Sequence, residues 1–199
     1  GGRLSRVITE KGAISTSTAL CAAGAWSSYF CRSLGISVPQ LKVRGTVART
    51  NTVETKINGT IFDRQLSIRK RNDGGYTVAH GSTFDHAITP SSLKYSKKYL
   101  RALINEFSVL KLSIGTDFID ELAAPTHWDL DKKSPFEMNR VLNPKPNKKT
   151  ISQIQKKLGE VYPELRNANI VESWAGMVET TPDVVPVISH IDKIPGFYL

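Results

Sequence analysis

A single glycine sets the first chemical possibility in this 199-residue chain. Residues 19–23 are a run of small and apolar residues of the kind that forms a strand buried on both faces. Gly24 interrupts the run, and residues 26–34 carry Trp26, Phe30 and Leu34 at helical spacing. A strand, a glycine and a helix start form the local geometry in which backbone N–H groups approach a phosphate with no side chain between them. The same succession also joins strands to helices where no ligand binds, so Gly24 alone leaves both readings open. Other chemistries lack their residues. There is no Gly-x-Ser-x-Gly elbow and no phosphate-binding Gly-x-x-x-x-Gly-Lys loop. Cys21 and Cys31 share no zinc-ligand spacing with each other or with His80, His86, His127 and His190. No metal site is expected, and the two cysteines read as packing thiols rather than a disulfide. No acid–base pair stands out, and no catalytic residue is assigned.

The elements that must hold this stretch follow from periodicity, and together they describe an α/β (α+β) chain. Arg6–Thr9 and residues 13–16 are short β-prone runs around Lys11-Gly12, a hairpin leading into the strand at Ala19. Gly35 supplies a helix C-cap and Pro39 a stop, after which residues 41–48 alternate as a strand. From 51 to 80 the pattern is antiparallel: residues 65–69 alternate, Asn72-Asp73-Gly74-Gly75 turns, and Tyr76–Ala79 returns. Ser67 and Arg69 share one face of that hairpin, so Arg69 is either a pocket cation or a solvated edge arginine. Residues 96–110 read as the longest helix, with Tyr99, Leu103, Phe107 and Leu110 as its apolar stripe. Ser134-Pro135-Phe136-Glu137 has the form of a helix start, giving a short helix that ends near Pro144. Thr150 with Gln153 starts another helix, whose Ile151, Ile154 and Leu158 fall on one face before Tyr162-Pro163 ends it. Strands are expected at 170–177 and 185–188, with a turn at 181–183 between them, and a further strand begins at 196–199.

The formal charge is +9, carried largely by lysine groups at 94–98, 132–133, 145–149 and 156–157. These groups lack the interleaved aromatics of a single-strand platform and read as solvated faces, so nucleic acid is not the expected partner. At 40% hydrophobic and 23% charged residues the chain can bury a core and is not a disordered tail. No apolar run approaches the roughly 20 residues that a bilayer requires, and residues 1–6 lack the apolar centre of a signal peptide. A cytoplasmic protein without a membrane span is the expectation.

Residues 22–27, Ala-Ala-Gly-Ala-Trp-Ser, resemble the Ala-Ala-Gly-x-Trp-Ser segment of the FAD-dependent amino-acid and amine oxidoreductases of the D-amino-acid oxidase superfamily. Residues 173–188, Ser-Trp-Ala-Gly-Met-Val-Glu-Thr-Thr-Pro-Asp-Val-Val-Pro-Val-Ile, resemble that family's Trp-Ala-Gly followed by Thr-Pro-Asp and Pro-x-Ile. Arg44-Gly45 resembles its Arg-Gly element, and the order and separation of the segments match. The resemblance implies FAD as cofactor and oxidation of a carbon–nitrogen bond in a small amine or amino acid, with the flavin carrying the chemistry. It implies that Ala23, Gly24, Ala25 and Trp26 approach the FAD, and that Trp174, Met177, Val178 and Thr181 lie near the substrate. Trp174 is equally readable as a core aromatic. Several amino-acid oxidases of the family carry an arginine where Val178 stands. The variant looks more like the sarcosine, dimethylglycine and opine oxidising branch, and Arg69 becomes one candidate cation for the substrate carboxylate.

The same resemblance implies part of an FAD-binding sheet at 1–48. It implies a substrate-binding domain with a mixed or antiparallel sheet and flanking helices at 49–170, and strands returning to the FAD domain at 171–199. The family's Gly-x-Gly-x-x-Gly would then lie upstream of Gly1 and a glycine-rich loop beyond Leu199. On this reading the chain is a fragment that alone is inactive and does not retain FAD, and another chain could complete the flavin site. The alternatives are a noncatalytic subunit or fragment of a larger flavoprotein, and a basic nucleic-acid-binding module.

Overall fold

The computed structural model describes residues 2–106 and 110–199. The chain opens with a hairpin, β1 (Arg6–Thr9) and β2 (Gly12–Ser15), whose strands pair only with each other among the described residues. β3 (Ala19–Leu20) follows, then a 3₁₀ turn at Gly24–Trp26 that runs into α1 (Ser27–Ser33). Gly35, at φ +67°, closes this helix as expected: its N–H and that of Ile36 reach back to the carbonyls of Arg32 and Cys31 at 3.0 and 2.9 Å.

β4 (Leu41–Thr50) is the spine of a seven-stranded sheet. On one edge its C-terminal half pairs with β7 (Tyr76–Ala79), which carries β6 (Ser67–Lys70) and β5 (Thr60–Ile61) outward, all antiparallel. On the same edge Arg44 pairs with Asp85 of β8 (Phe84–Ala87), and β9 (Leu110–Ser113) adds to β8 in parallel. β10 (Ile170–Thr180) runs antiparallel along the whole other edge of β4, with Leu41 opposite Thr180 and Thr50 opposite Ile170. β11 (Phe197–Tyr198) pairs in parallel with β3. The helices are α2 (Pro90–Glu106), α3 (Asp117–Ala123), α4 (Pro135–Met138) and α5 (Lys148–Val161).

The largest core lies between α5 and one face of the sheet. Ile154 and Leu158 of the helix pack with Ala48, Leu66, Ile68, Tyr76 and Val78, all fully or nearly fully buried. At about 1.5–3 kcal/mol for each large apolar side chain removed from water, this contact holds α5 to the sheet. Its N-cap is Asn147 rather than Thr150: the Asn147 side chain accepts from the N–H groups of Lys149 and Thr150, while Thr150 is buried. The expected serine capping box at Ser134 and Glu137 forms, although α4 ends at Met138 rather than near Pro144.

Several expectations are corrected. Residues 19–23 do not form a buried strand. Only two of them are in β3, Leu20 is 67% exposed, and among the described residues β11 is the only strand beside it. Apolar composition signals that a segment can be buried, not that a neighbour covers it. Nor does the first hairpin enter that sheet, since β1 and β2 stand apart and β2 is exposed throughout. In α1 the buried residues are Ser27 and Cys31, with Ala25 just ahead of them, so the inner face is rotated from the Trp26–Phe30–Leu34 stripe. The longest helix begins six residues earlier than expected, with Pro90 in its first position, and Leu110 belongs to β9. Tyr99 is buried as expected, while Phe107 lies outside the described residues.

Residues 185–188 form no strand, because the turn before them has taken their backbone groups. The Val185 N–H bonds Asp183 Oδ1 at 3.3 Å, the Val185 carbonyl accepts from Thr181 Oγ1 at 2.8 Å, and Pro186 has no N–H. The domain boundaries expected at residues 48 and 170 both fall in strands, β4 and β10, that pair with one another.

Candidate functional site

Cross-strand partners directly opposite one another share a face, so the ladder registers sort the sheet's side chains. Ile68, Val78, Ala48 and Ser173 form one row across β6, β7, β4 and β10, and its first three residues belong to the core beneath α5. The two neighbouring rows must point the other way. One is Arg69–Thr77–Arg49–Glu172 and the other Ser67–Ala79–Val47–Trp174. Alternation along β10 adds Gly176 and Val178, opposite Gly45 and Val43, to this second face. Arg69, Trp174 and Val178 are thereby brought to one surface. Arg69 is exposed on β6, Trp174 is 38% exposed and Val178 is 48% exposed.

Three strand spacings separate Arg69 from β10, about 14 Å. That span reaches Glu172 in the row of Arg69; Trp174 and Val178 lie two and six residues farther along β10, about 7 and 20 Å. A second arginine on the face, Arg49, is already engaged: its Nε donates to Glu172 Oε2 at 2.6 Å and its Nη1 lies 3.5 Å from Asp73 Oδ2. Arg69 has no ion pair among the described residues.

The other expected residues line two cavities. One, of about 520 Å³, is walled by Leu20, Cys21, Ala22 and Gly24 on one side and by Glu179, Thr181 and residues 184–188 on the other. Gly24 has φ +53°, and a Cβ there would sit 3.7 Å from both Glu179 carboxylate oxygens. A carboxylate at that distance repels a phosphate, so the glycine's approach suits a hydroxyl or N–H donor instead. The turn that shapes the far wall holds Val184 at φ +59°, a left-handed conformation that a β-branched residue adopts at a cost. The Val185 amide holds the Asp183 carboxyl below its ordinary range.

The second cavity, about 560 Å³, brings Trp26 together with Met177. Lys42 shares it, its Nζ 5.3 Å from the Trp26 ring centroid, and burial holds this amine below its usual range while Glu121 opposes the shift. Gln40 lines both cavities, and its Oε1 is buried without a hydrogen-bond partner among the described residues. Ala23 is exposed on the loop between β3 and the 3₁₀ turn, and Ala25 is buried in that turn. Gly24 and Thr181 thus meet at one cavity and Trp26 and Met177 at the other, while Arg69, Trp174 and Val178 lie on the sheet face. Glu179, Gln40, Lys42 and Arg49 were not anticipated; the β4–β10 register, which sets Lys42 opposite Glu179 and Arg49 opposite Glu172, could have found all but Gln40, which precedes β4.

Comparison with known proteins finds relatives over the full length of the chain. The family model "DAO: FAD dependent oxidoreductase" matches residues 1–199. The L-amino acid deaminase of Proteus myxofaciens, solved with anthranilate, superposes with a TM-score of 0.91 at 33% identity, covering 100% of this chain and 44% of that one. The L-amino acid deaminase of Proteus vulgaris gives 0.87 at 29% identity, covering 98% and 45%. A glycine oxidase of Pseudomonas putida is 22% identical over 198 residues, covering 100% of this chain and 39% of that protein. The chain therefore spans less than half the length of the relatives it matches.

Proposed function

Because the chain belongs to the DAO family of FAD-dependent oxidoreductases, we propose that this protein oxidises the carbon–nitrogen bond of a small amino acid or amine. FAD, when bound, supplies the hydride acceptor. The reading rests on the register that gathers Arg69, Trp174 and Val178 on one sheet face. There the Arg69 guanidinium takes the substrate carboxylate bidentately. Trp174 and Val178 supply an apolar floor that excludes water and orients the carbon to be oxidised. Likeness to the Proteus L-amino acid deaminases favours an amino acid with a free carboxylate over a simple amine.

On this proposal the cofactor is held by the wall that Ala22 and Gly24 line, with Ala23 on the loop between them. Glu179 and the unpartnered Gln40 Oε1 would accept hydrogen bonds from its hydroxyl or N–H groups, and the sheet face of Arg69, Trp174 and Val178 would form the substrate side. The 199 residues contain no Gly-x-Gly-x-x-Gly. A dinucleotide deprived of that loop loses several charge-assisted hydrogen bonds, each worth about 1.5–3 kcal/mol. Two or three such losses weaken binding by several orders of magnitude, since about 1.4 kcal/mol is a factor of ten. Further protein, in the same or another chain, is then required for tight FAD binding.

The test is a flavin spectrum followed by anaerobic titration with L- and D-amino acids, glycine, sarcosine, opines and carboxylate-free amines. Bleaching by one of these is the expected result, and a full-length preparation that binds no flavin overturns the proposal. Arg69→Met should raise KM for carboxylate-bearing substrates and leave that for simple amines unchanged.

A further inference from the structure

Cys21 and Cys31 occupy unequal positions in one apolar cluster. Cys31, on the inner face of α1, is fully buried. Cys21, just after β3, packs against that cluster and is also part of the wall of the 520 Å³ cavity, with its Sγ 3.9 Å from Ser27 Oγ. Both are free thiols, and only one can be reached by a small solute. The neighbouring Cys31 thiol, as hydrogen-bond donor, holds the Cys21 thiol down to about 6 against the opposing effect of burial, with help from the Ala23 amide and Ser27 hydroxyl. The same contact, reinforced by burial, pushes the Cys31 thiol up. The accessible sulfur thus tends to thiolate while its shielded neighbour keeps the proton. That asymmetry characterises an oxidation-sensitive thiol and its resolving partner, and is not required for packing.

We propose that Cys21 and Cys31 are an oxidative modification site, in which Cys21 reacts with a hydroperoxide and Cys31 converts the product to an intrachain disulfide. The Cys21 thiolate attacks the terminal hydroxyl oxygen of the hydroperoxide, the O–O bond breaks, and hydroxide leaves from hydrogen peroxide or alkoxide from an alkyl hydroperoxide. Sulfur is oxidised by two electrons to a sulfenic acid as the peroxide is reduced. The Cys31 sulfur then attacks the sulfenic sulfur: the S–S bond forms, the S–O bond breaks, and the oxygen departs as water with the Cys31 proton. The new bond ties the end of β3 to α1 across the Gly24 turn, fixing the backbone that lines the cavity.

The protein as purified is reduced, exposed to equimolar hydrogen peroxide, denatured in excess maleimide and digested with trypsin. Both cysteines fall in one tryptic peptide, residues 12–32. The expected result is loss of both alkylation sites, with a peptide lighter by two hydrogens. In Cys31→Ala the sulfenic acid should persist at Cys21 and be trapped by dimedone. In Cys21→Ala the remaining thiol should stay fully alkylatable. A wild-type peptide that stays doubly alkylated while glutathione in the same vial is oxidised overturns the proposal, as does a disulfide joining two protein copies. The wild-type mass decides the matter even if a cysteine variant fails to fold.

Discussion

Gly45 and Gly176 stand opposite one another in the β4–β10 ladder, between the Val47–Trp174 and Val43–Val178 pairs of the face turned away from α5. A Cβ built on Gly176 meets nothing within 4 Å, and one on Gly45 meets only the Phe84 ring, at 3.8 Å. The two glycines leave backbone without side chains between Trp174 and Val178, with the Phe84 ring beside it at Gly45.

Filling that space should separate folding from binding. Gly176→Val adds a β-branched residue in an unobstructed strand position and should shift stability by no more than about 0.5 kcal/mol. KM for the oxidised substrate should rise about tenfold, equivalent to about 1.4 kcal/mol. Thermal melting and steady-state kinetics on the same preparation check both, and a folded variant with unchanged KM would move the substrate off this face.

Val184→Gly should stabilise the protein. Holding a β-branched residue in the left-handed region costs about 1–2 kcal/mol, and glycine returns about 0.5–1 kcal/mol of that through the entropy of the unfolded chain. A net gain of about 0.5–1 kcal/mol should appear in guanidinium unfolding. A loss instead would mean that the valine side chain's packing outweighs its backbone strain.

Asn147→Ala should destabilise by about 1–3 kcal/mol. It removes the α5 cap to Lys149 and Thr150 and also the Nδ2 bond to Asp85 Oδ1 at 2.8 Å, leaving a buried carboxylate oxygen one partner short. Asn147→Asp keeps the cap but sets a second carboxylate against Asp85, so it should recover little. Denaturant midpoints for the two variants check this.

The hairpin turn at Asp73 should weaken in acid. The Gly75 amide, foremost, and then Arg71 and Arg49 hold the Asp73 carboxyl below its ordinary value of 3.8. A group lowered on folding contributes stability above its unfolded pKa and loses it as pH falls through the folded one. Exchange of the Gly75 amide, taken relative to an unstructured amide at the same pH, should therefore accelerate below about pH 3.8 in wild type. In Asp73→Ala it should already be fast at neutral pH.

Local rules of the chain were legible where one residue type decides the outcome. Gly35 closes α1, Ser134 and Glu137 cap α4, and Asn72 to Gly75 turn the hairpin, because each relies on neighbours within a few residues. What covers a segment was not legible. The 19–23 run has the composition of a buried strand but, among the described residues, is flanked only by β11, and 185–188 have strand composition with backbone groups already bonded in a turn. The candidate site divides the same way. Gly24, Trp174 and Thr181 could be named from motifs, and Arg69 from its place in a hairpin. That Arg69 and Val178 share a face, and that Glu179 meets Gly24, depends on a ladder between residues far apart in sequence.

That ladder also sets an order of events during synthesis. β4 has left the ribosome long before β10 is made, so the longest pairing of the fold must wait for the intervening chain. At about 5–20 residues per second that delay is on the order of ten seconds, far longer than hairpin or helix formation. Through that interval β5, β6 and β7 can assemble on one side of β4, while its other side keeps unpaired backbone groups available to any passing strand. The nascent chain is therefore exposed to mispairing at β4 until Thr180 has emerged, and a chaperone acting on it would have that edge to guard.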